Sequence, residues 1–294
     1  MNLKIDLQDF YFDPQNSTSV SSLPNEVTPL YKKKSDYRDL LEKNTAEIHD
    51  LQNLMYAHDR YALLLIFQGM DSAGKDGAIR HVMTGINPAG VQVFSFKKPS
   101  KEELDHDWMW RTSCSLPERG RIGIFNRSYY EEVLVVKVHP EIVQKYQRVP
   151  KEFIKNEASL WEERYADIRN FENMLHRNGT RIVKFFINIS KDEQKERLLA
   201  RIDQPEKNWK MSPADVKERG YWDDYMQAYE DLLKNTSREN APWYVIPGND
   251  KKNARLIISQ IVLQHLQEMD MNYPVVTDEF RAKLTEVRKV LEDS

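Results

Sequence analysis

Five short apolar runs punctuate an otherwise polar chain, at 63–67, 91–96, 122–125, 182–189 and 243–246. Most are continuous rather than alternating and rich in branched or aromatic residues, as in strands buried on both faces of a parallel sheet. Between them apolar positions recur at helical spacing. Leu40, Leu41, Ala46, Ile48, Leu51, Leu54 and Met55 predict a helix from about Ser35 to Arg60, leading straight into the first run. Further helices are predicted over 101–115, 130–138, 152–177, 191–203, 213–235 and 251–268. Strands alternating with helices imply right-handed crossovers and a parallel sheet covered on both faces, an α/β fold. The stretch 191–235 is long and polar for a crossover, so part of it is expected to lie over a site. Residues 1–35, Ser/Pro/Asn-rich over 13–24, lack periodicity and read as an extended arm. The main domain spans 36–270, and 271–294 form a helical tail. No internal repeat is visible.

Composition narrows the function classes. The 43 basic and 46 acidic side chains leave a formal net charge of −3, which excludes a globally basic nucleic-acid binder but permits a local basic groove. With 6 Trp, 14 Tyr and 11 Phe the chain is no disordered tail. The longest apolar run, 61–67, is far too short to span a membrane, for which about 20 residues are needed. The opening residues show no apolar signal core, and a single cysteine, Cys114, fits a reducing compartment and reads as structural. A cytoplasmic enzyme is the expectation.

The strongest motif follows the first run: Gln68-Gly69-Met70-Asp71-Ser72-Ala73-Gly74-Lys75-Asp76-Gly77, opening a helix. The spacing Gly69-x4-Gly74-Lys75 is that of a Walker A loop, whose backbone N–H groups converge on phosphate at a helix N-terminus. Lys75 would neutralise the transferring phosphoryl group. Where Ser or Thr usually follows the lysine, Asp76 stands. Asp71 puts a carboxylate beside the phosphates that a cation must bridge, making it the candidate magnesium ligand. The other reading is a glycine-rich turn with a surface lysine.

The third run ends in Asn126-Arg127-Ser128-Tyr129-Tyr130-Glu131-Glu132, at the strand ends where ligands gather in open parallel sheets. Asn126 occupies the place of a Walker B aspartate, which weakens it as a direct metal ligand. Arg127 could fork onto phosphate oxygens, or pair with Glu131 or Glu132 at the surface. Ser128-x-x-Glu131 before 133–136 also reads as a capping box, in which Glu131 merely caps a helix.

These two segments, with Ile79-Arg-His-Val-Met-Thr-Gly-Ile-Asn-Pro88, Ser95-Phe-Lys97, His106-Asp107 with Trp110-Arg111, Lys207-Asn-Trp-Lys210 and Ala241-Pro-Trp-Tyr-Val-Ile-Pro247, resemble the polyphosphate kinase 2 family over about 36–268. The resemblance implies a P-loop kinase-like three-layer α/β/α fold with a helical lid at about 191–222. It implies magnesium-dependent phosphoryl transfer between inorganic polyphosphate and adenine or guanine nucleotides, without nucleic-acid or membrane partners, by a homo-oligomer. The 126–131 segment looks like the subgroup accepting both mono- and diphosphates, in which an acid at Glu131 accompanies use of monophosphates.

On that reading Asp71, Lys75, Asn126 and Arg127 are catalytic. Gly69, Met70, Ser72, Ala73, Gly74, Asp76, Gly77, Arg80 and Glu131 bind phosphate or nucleotide. A polyphosphate chain needs a row of cations. Lys97, Lys98, Arg111, Arg197, Arg201, Lys207 and Lys210 are the candidates, with Lys195 nearby. Arg197 and Arg201 share a helix face, opposite Asp192, Glu196 and Asp203; the plainer reading is a solvated helix with a Glu193–Arg197 pair. His106-Asp107 lacks further ligands at zinc spacing, and Trp108, Trp110, Trp209 and Trp222 are expected mainly to pack. The rival functions are a thymidylate-kinase-like enzyme with ATP as donor, and a noncatalytic nucleotide or polyphosphate sensor.

Overall fold

The strand β1 (Ala62–Gln68) is buried along its whole length and forms the middle of a parallel five-stranded sheet in a computed structural model. The structure describes residues 5–15, 19–154 and 156–294, so parts of the expected arm (1–4 and 16–18) lie outside the described residues. The strand order is β2–β3–β1–β4–β5, with β2 at Val91–Ser95, β3 at Ile122–Asn126, β4 at Thr180–Asn188 and β5 at Trp243–Pro247. All five predicted runs are strands, displaced by no more than two residues at either end. Burial on both faces fails only for the edge strand β2, where Val93 is 52% exposed, whereas the other edge strand, β5, is buried along its length. Register sets Phe67 level with Asn126 and with Phe185, so β1 and β3 finish side by side.

Two groups of helices cover the sheet. In one, α1 (Lys34–His58) packs on α7 (Lys251–Gln267), which in turn contacts α2 (Lys75–Val82) and strands β4 and β5. In the other, α3 (Glu157–Arg177) packs on β4 and against α6 (Trp222–Thr236). The buried stripe of α3, Leu160, Trp161, Arg164, Tyr165, Ile168, Glu172 and Leu175, follows the 3.6-residue period, with two charged members, Arg164 and Glu172. Glu172 meets the fully buried Lys184 of β4 at 2.7 Å and accepts hydrogen bonds from the hydroxyls of Tyr129 and Tyr130. A buried ion pair survives only when its remaining valences are met, and here they are: Lys184 also reaches the Thr236 carbonyl.

Several predicted helices are broken. The 101–115 stretch holds two short pieces, Lys101–Asp105 and Trp110–Ser113, separated where Asp107 turns back to accept the Met109 N–H. The 213–235 stretch divides at Gly220-Tyr221 into α5 (Pro213–Arg219) and α6, and α4 occupies Lys191–Asp203. Over 130–138 a 3-10 turn (Tyr129–Val133) precedes a single α-turn.

The described part of the arm is packed rather than extended. Leu7, Phe10, Phe12 and Val20 are buried, the Phe12 N–H donates to the Trp243 carbonyl, and Glu230 accepts from Ser19 and from the Val20 N–H. At the other end α8 (Asp278–Glu292) buries no residue. Cys114 is free and exposed. Among the described residues, no helix is long and apolar enough to cross a membrane.

Candidate active site

Chain reversal at the end of β1 depends on two glycines. At Gly69 φ is +154°, and a Cβ would stand 2.8 Å from the Ile187 carbonyl oxygen. Gly74, with φ +104°, caps the N-terminus of α2 in the left-handed region. Ser72 shares positive φ at 67°. The Ala73 N–H closes a turn onto the Met70 carbonyl, and Gly74 O accepts from Ala78, starting the helix. This leaves the first N–H groups of α2 turned toward the loop's concave side, a ready anion cradle.

Lys75 is buried under that loop, its ammonium donating to the carbonyls of Gly69 at 2.6 Å and Met70 at 3.3 Å. Burial pulls its pKa from 10.5 down to about 8, and neighbouring Arg127 pushes the same way against Asp71, Glu131 and Asp76.

Strand β3 delivers the remaining groups. Asn126 donates to the Asp76 carboxylate. Arg127 sits at φ 63° with its N–H on the Phe67 carbonyl, and this turned-back backbone aims the guanidinium at Asp71, 2.7 Å away. Glu131 is the largest influence raising the Arg127 pKa, so the cation stands between two carboxylates. The capping box is absent. Ser128 Oγ accepts from the Tyr130 N–H, because the segment winds as a 3-10 turn, and the Glu131 carboxylate takes a hydrogen bond from Gln68 Nε2 at 2.8 Å.

Asp71, Arg127 and Glu131 thus line a crevice of about 190 Å³, closed by Gln194 of α4, Glu218 and Arg219 of α5, and Tyr225 and Tyr229 of α6. Gln194 donates to the Asp71 carbonyl and accepts from Arg219. Glu218 accepts from the Tyr225 hydroxyl at 2.8 Å and lies 3.0 Å from His139 Nε2. Burial, then Glu131, raises the Tyr229 pKa well above its ordinary value, so its hydroxyl stays protonated. Sequence reasoning missed Gln68, Gln194, Glu218, Arg219, Tyr225 and Tyr229. Only the Trp222/Tyr225/Tyr229 spacing carried a signal, and that signal says core.

The expected row of donor-binding cations divides. Arg197 is buried and fully engaged: Nε binds Glu193, one terminal nitrogen holds the carbonyls of Ser72 and Ala73, the other those of Gly248 and Asn249. It braces the loop from behind rather than offering a free charge. Arg111 is likewise buried, on the Lys97 carbonyl and 4.0 Å from Glu132. Arg201 is paired with Asp215 at 3.3 Å. Arg80, Lys97, Lys98, Lys195, Lys207 and Lys210 are exposed. Trp209 is exposed beside Lys210, Trp222 is buried, and His106 stacks on Trp110.

A magnesium ion fits the oxygen donors here. Among the described residues no three His, Cys, Asp or Glu side chains cluster as a metal cage. Magnesium rarely needs one, being held by one or two carboxylates together with substrate phosphates. Asp71, one-third exposed at the loop, supplies a carboxylate of that kind.

The family model described as Polyphosphate kinase 2 (PPK2) matches residues 31–274. An ADP-polyphosphate phosphotransferase of Rhodopseudomonas palustris is 54% identical over 291 residues, covering 98% of this chain and 99% of that protein. An AMP/ADP-polyphosphate phosphotransferase of Meiothermus ruber is 41% identical over 251 residues, 85% of this chain and 89% of the relative. The crystal structure of Polyphosphate Kinase 2 from Arthrobacter aurescens TC1 superposes with a TM-score of 0.83 at 39% identity, covering 95% of this chain and 98% of the other. Loop, strand end, sheet order and these likenesses agree: the chain belongs to the polyphosphate kinase 2 family.

Proposed function

We propose that this protein transfers the terminal phosphoryl group of polyphosphate to AMP or ADP, and runs the reaction in reverse when nucleoside triphosphate accumulates. The observation that carries this reading is the convergence of Lys75, Arg127 and Asp71 on one anion-binding loop. An acceptor phosphate oxygen attacks the terminal phosphorus as its bond to the polyphosphate chain breaks. Such a transfer needs alignment and charge neutralisation more than covalent help. The loop amides and Lys75 hold the moving group, and Arg127 spans its oxygens. Phosphate bound at the loop restores a full positive charge to Lys75 by offsetting its desolvation. Asp71 would hold magnesium, which supplies further neutralisation of the phosphates.

The segment 191–222 serves as the lid: Gln194, Glu218 and Arg219 already wall the crevice, and exclusion of water protects the transferred group from hydrolysis. Lys207 and Lys210, exposed on that segment, track the donor, with Arg201 beside them. Purified protein given magnesium, polyphosphate and either AMP or ADP, with nucleotides separated by chromatography, tests the assignment. Formation of ADP and ATP is expected. Product from ATP as donor but none from polyphosphate would favour a thymidylate-kinase-like enzyme. Binding of both ligands with no product would favour a sensor.

A further inference from the structure

Gln68, the last residue of β1, is only 1% exposed yet carries a polar side chain. Its Nε2 donates to Glu131 Oε1 at 2.8 Å. An ionised carboxylate can only accept, so the amide nitrogen must face Glu131 and the amide oxygen must face away. That oxygen is buried and finds no donor among the described residues. A buried acceptor without a partner is a cost that an apolar side chain of the same length would avoid. Packing therefore does not account for a glutamine here, and its one bond does.

That bond restrains a carboxylate that electrostatics pull elsewhere. Glu131 lines the same crevice as Arg127, whose guanidinium is bonded to Asp71 and not to Glu131. Released from Gln68, Glu131 would close onto Arg127 and take up the charge meant for phosphate. We propose that Gln68 is a positioning residue that holds Glu131 off Arg127, and that the Gln68–Glu131 pair sets how well a nucleoside monophosphate is used relative to a diphosphate. The proposal rests on the polyphosphate-to-nucleotide reading. A diphosphate brings a second phosphate with which to anchor itself on the loop. A monophosphate lacks it and depends more on a cation that Glu131 does not close off and on a carboxylate held in place.

Gln68→Met keeps the side chain's length and removes both the donor and the unpartnered oxygen. It is expected to melt no lower than the parent, while kcat/KM with AMP falls about tenfold more than with ADP, the effect of losing one hydrogen bond to a charged group. In the double variant Gln68→Met/Glu131→Gln, AMP selectivity should fall no further than in Glu131→Gln alone, because both act through one carboxylate. Gln68→Asn, whose amide is one methylene too short, should repeat the selectivity loss if the methionine variant folds poorly. A Gln68→Met enzyme with the parent's AMP-to-ADP ratio, or with both acceptors reduced equally, overturns the proposal, as does a multiplicative loss in the double variant. A parent that phosphorylates ADP but not AMP also overturns it and leaves the transfer reading standing. A parent inert with polyphosphate and both nucleotides sinks that reading and the proposal together.

Discussion

On the proposed reading Lys75 is the transfer lysine, and its charge is responsive. Its folded pKa of about 8 lies below the ordinary 10.5, so the fold disfavours the ammonium. The sign follows: this residue weakens the fold below pH 8, and the penalty fades as pH rises toward 10.5. Catalysis runs the other way, since only the ammonium neutralises phosphate. We expect kcat/KM to fall as pH rises through about 8, with the limb displaced upward in kcat because bound phosphate restores the charge. Lys75→Ala should lose about 10²–10³ in kcat. Asp71→Asn should fail by another route, weaker magnesium binding. Excess magnesium should partly rescue it and leave Lys75→Ala unmoved; full activity of Asp71→Asn at low magnesium would refute the ligand role. Glu131→Gln should melt like the parent and lose AMP phosphorylation more than ADP phosphorylation. Equal losses in an acceptor titration would remove Glu131 from acceptor choice.

Among elements, the helix after β4 shows how far sequence carries. Its boundaries match the predicted 191–203, and Ser190 caps its start. Arg197 was also readable as a cation on one face. What it binds was not, since four carbonyls from residues 72, 73, 248 and 249 converge only once three segments have folded. A trans peptide sets C=O and N–H on opposite sides, so gripping the Ala73 carbonyl from behind turns the Gly74 N–H toward the phosphate side. Arg197→Lys keeps charge but not the fork. It should destabilise the protein by about 2–5 kcal/mol, visible in urea melts, and lower kcat at saturating donor. A variant whose only defect is a raised KM for polyphosphate would return Arg197 to the donor track. The strands were legible as apolar runs. The Glu131 capping box was misread because Ser-x-x-Glu specifies a cap only where an α-helix follows, and here a 3-10 turn does.

The whole molecule treats its two ends differently. The Phe10–Phe12 stretch is buried along the outer strand β5, where Tyr11 bridges Tyr244. The helix α8 buries none of its own residues. Removing residues 5–15 should lower the melting temperature by several degrees and expose the β5 edge to pairing with other chains, seen as light scattering on heating. Ending the chain after residue 274 should leave melting and turnover unchanged. A clear loss of either would show that α8 contributes to the catalytic body.

The packed arm also dictates an order of events during synthesis. The Ser237 hydroxyl that holds the Phe12 carbonyl lies 225 residues further along the chain. A ribosome delivers Phe12 long before its docking strand, and closing so long a loop has an entropic cost met only when β5 is in place. Phe10 and Phe12 therefore emerge as unshielded aromatic side chains and stay so while the phosphate loop and the first four strands are made. Chaperone contact and nascent-chain aggregation should both centre on residues 7–12, and both should end in a single step when β5 clears the exit tunnel.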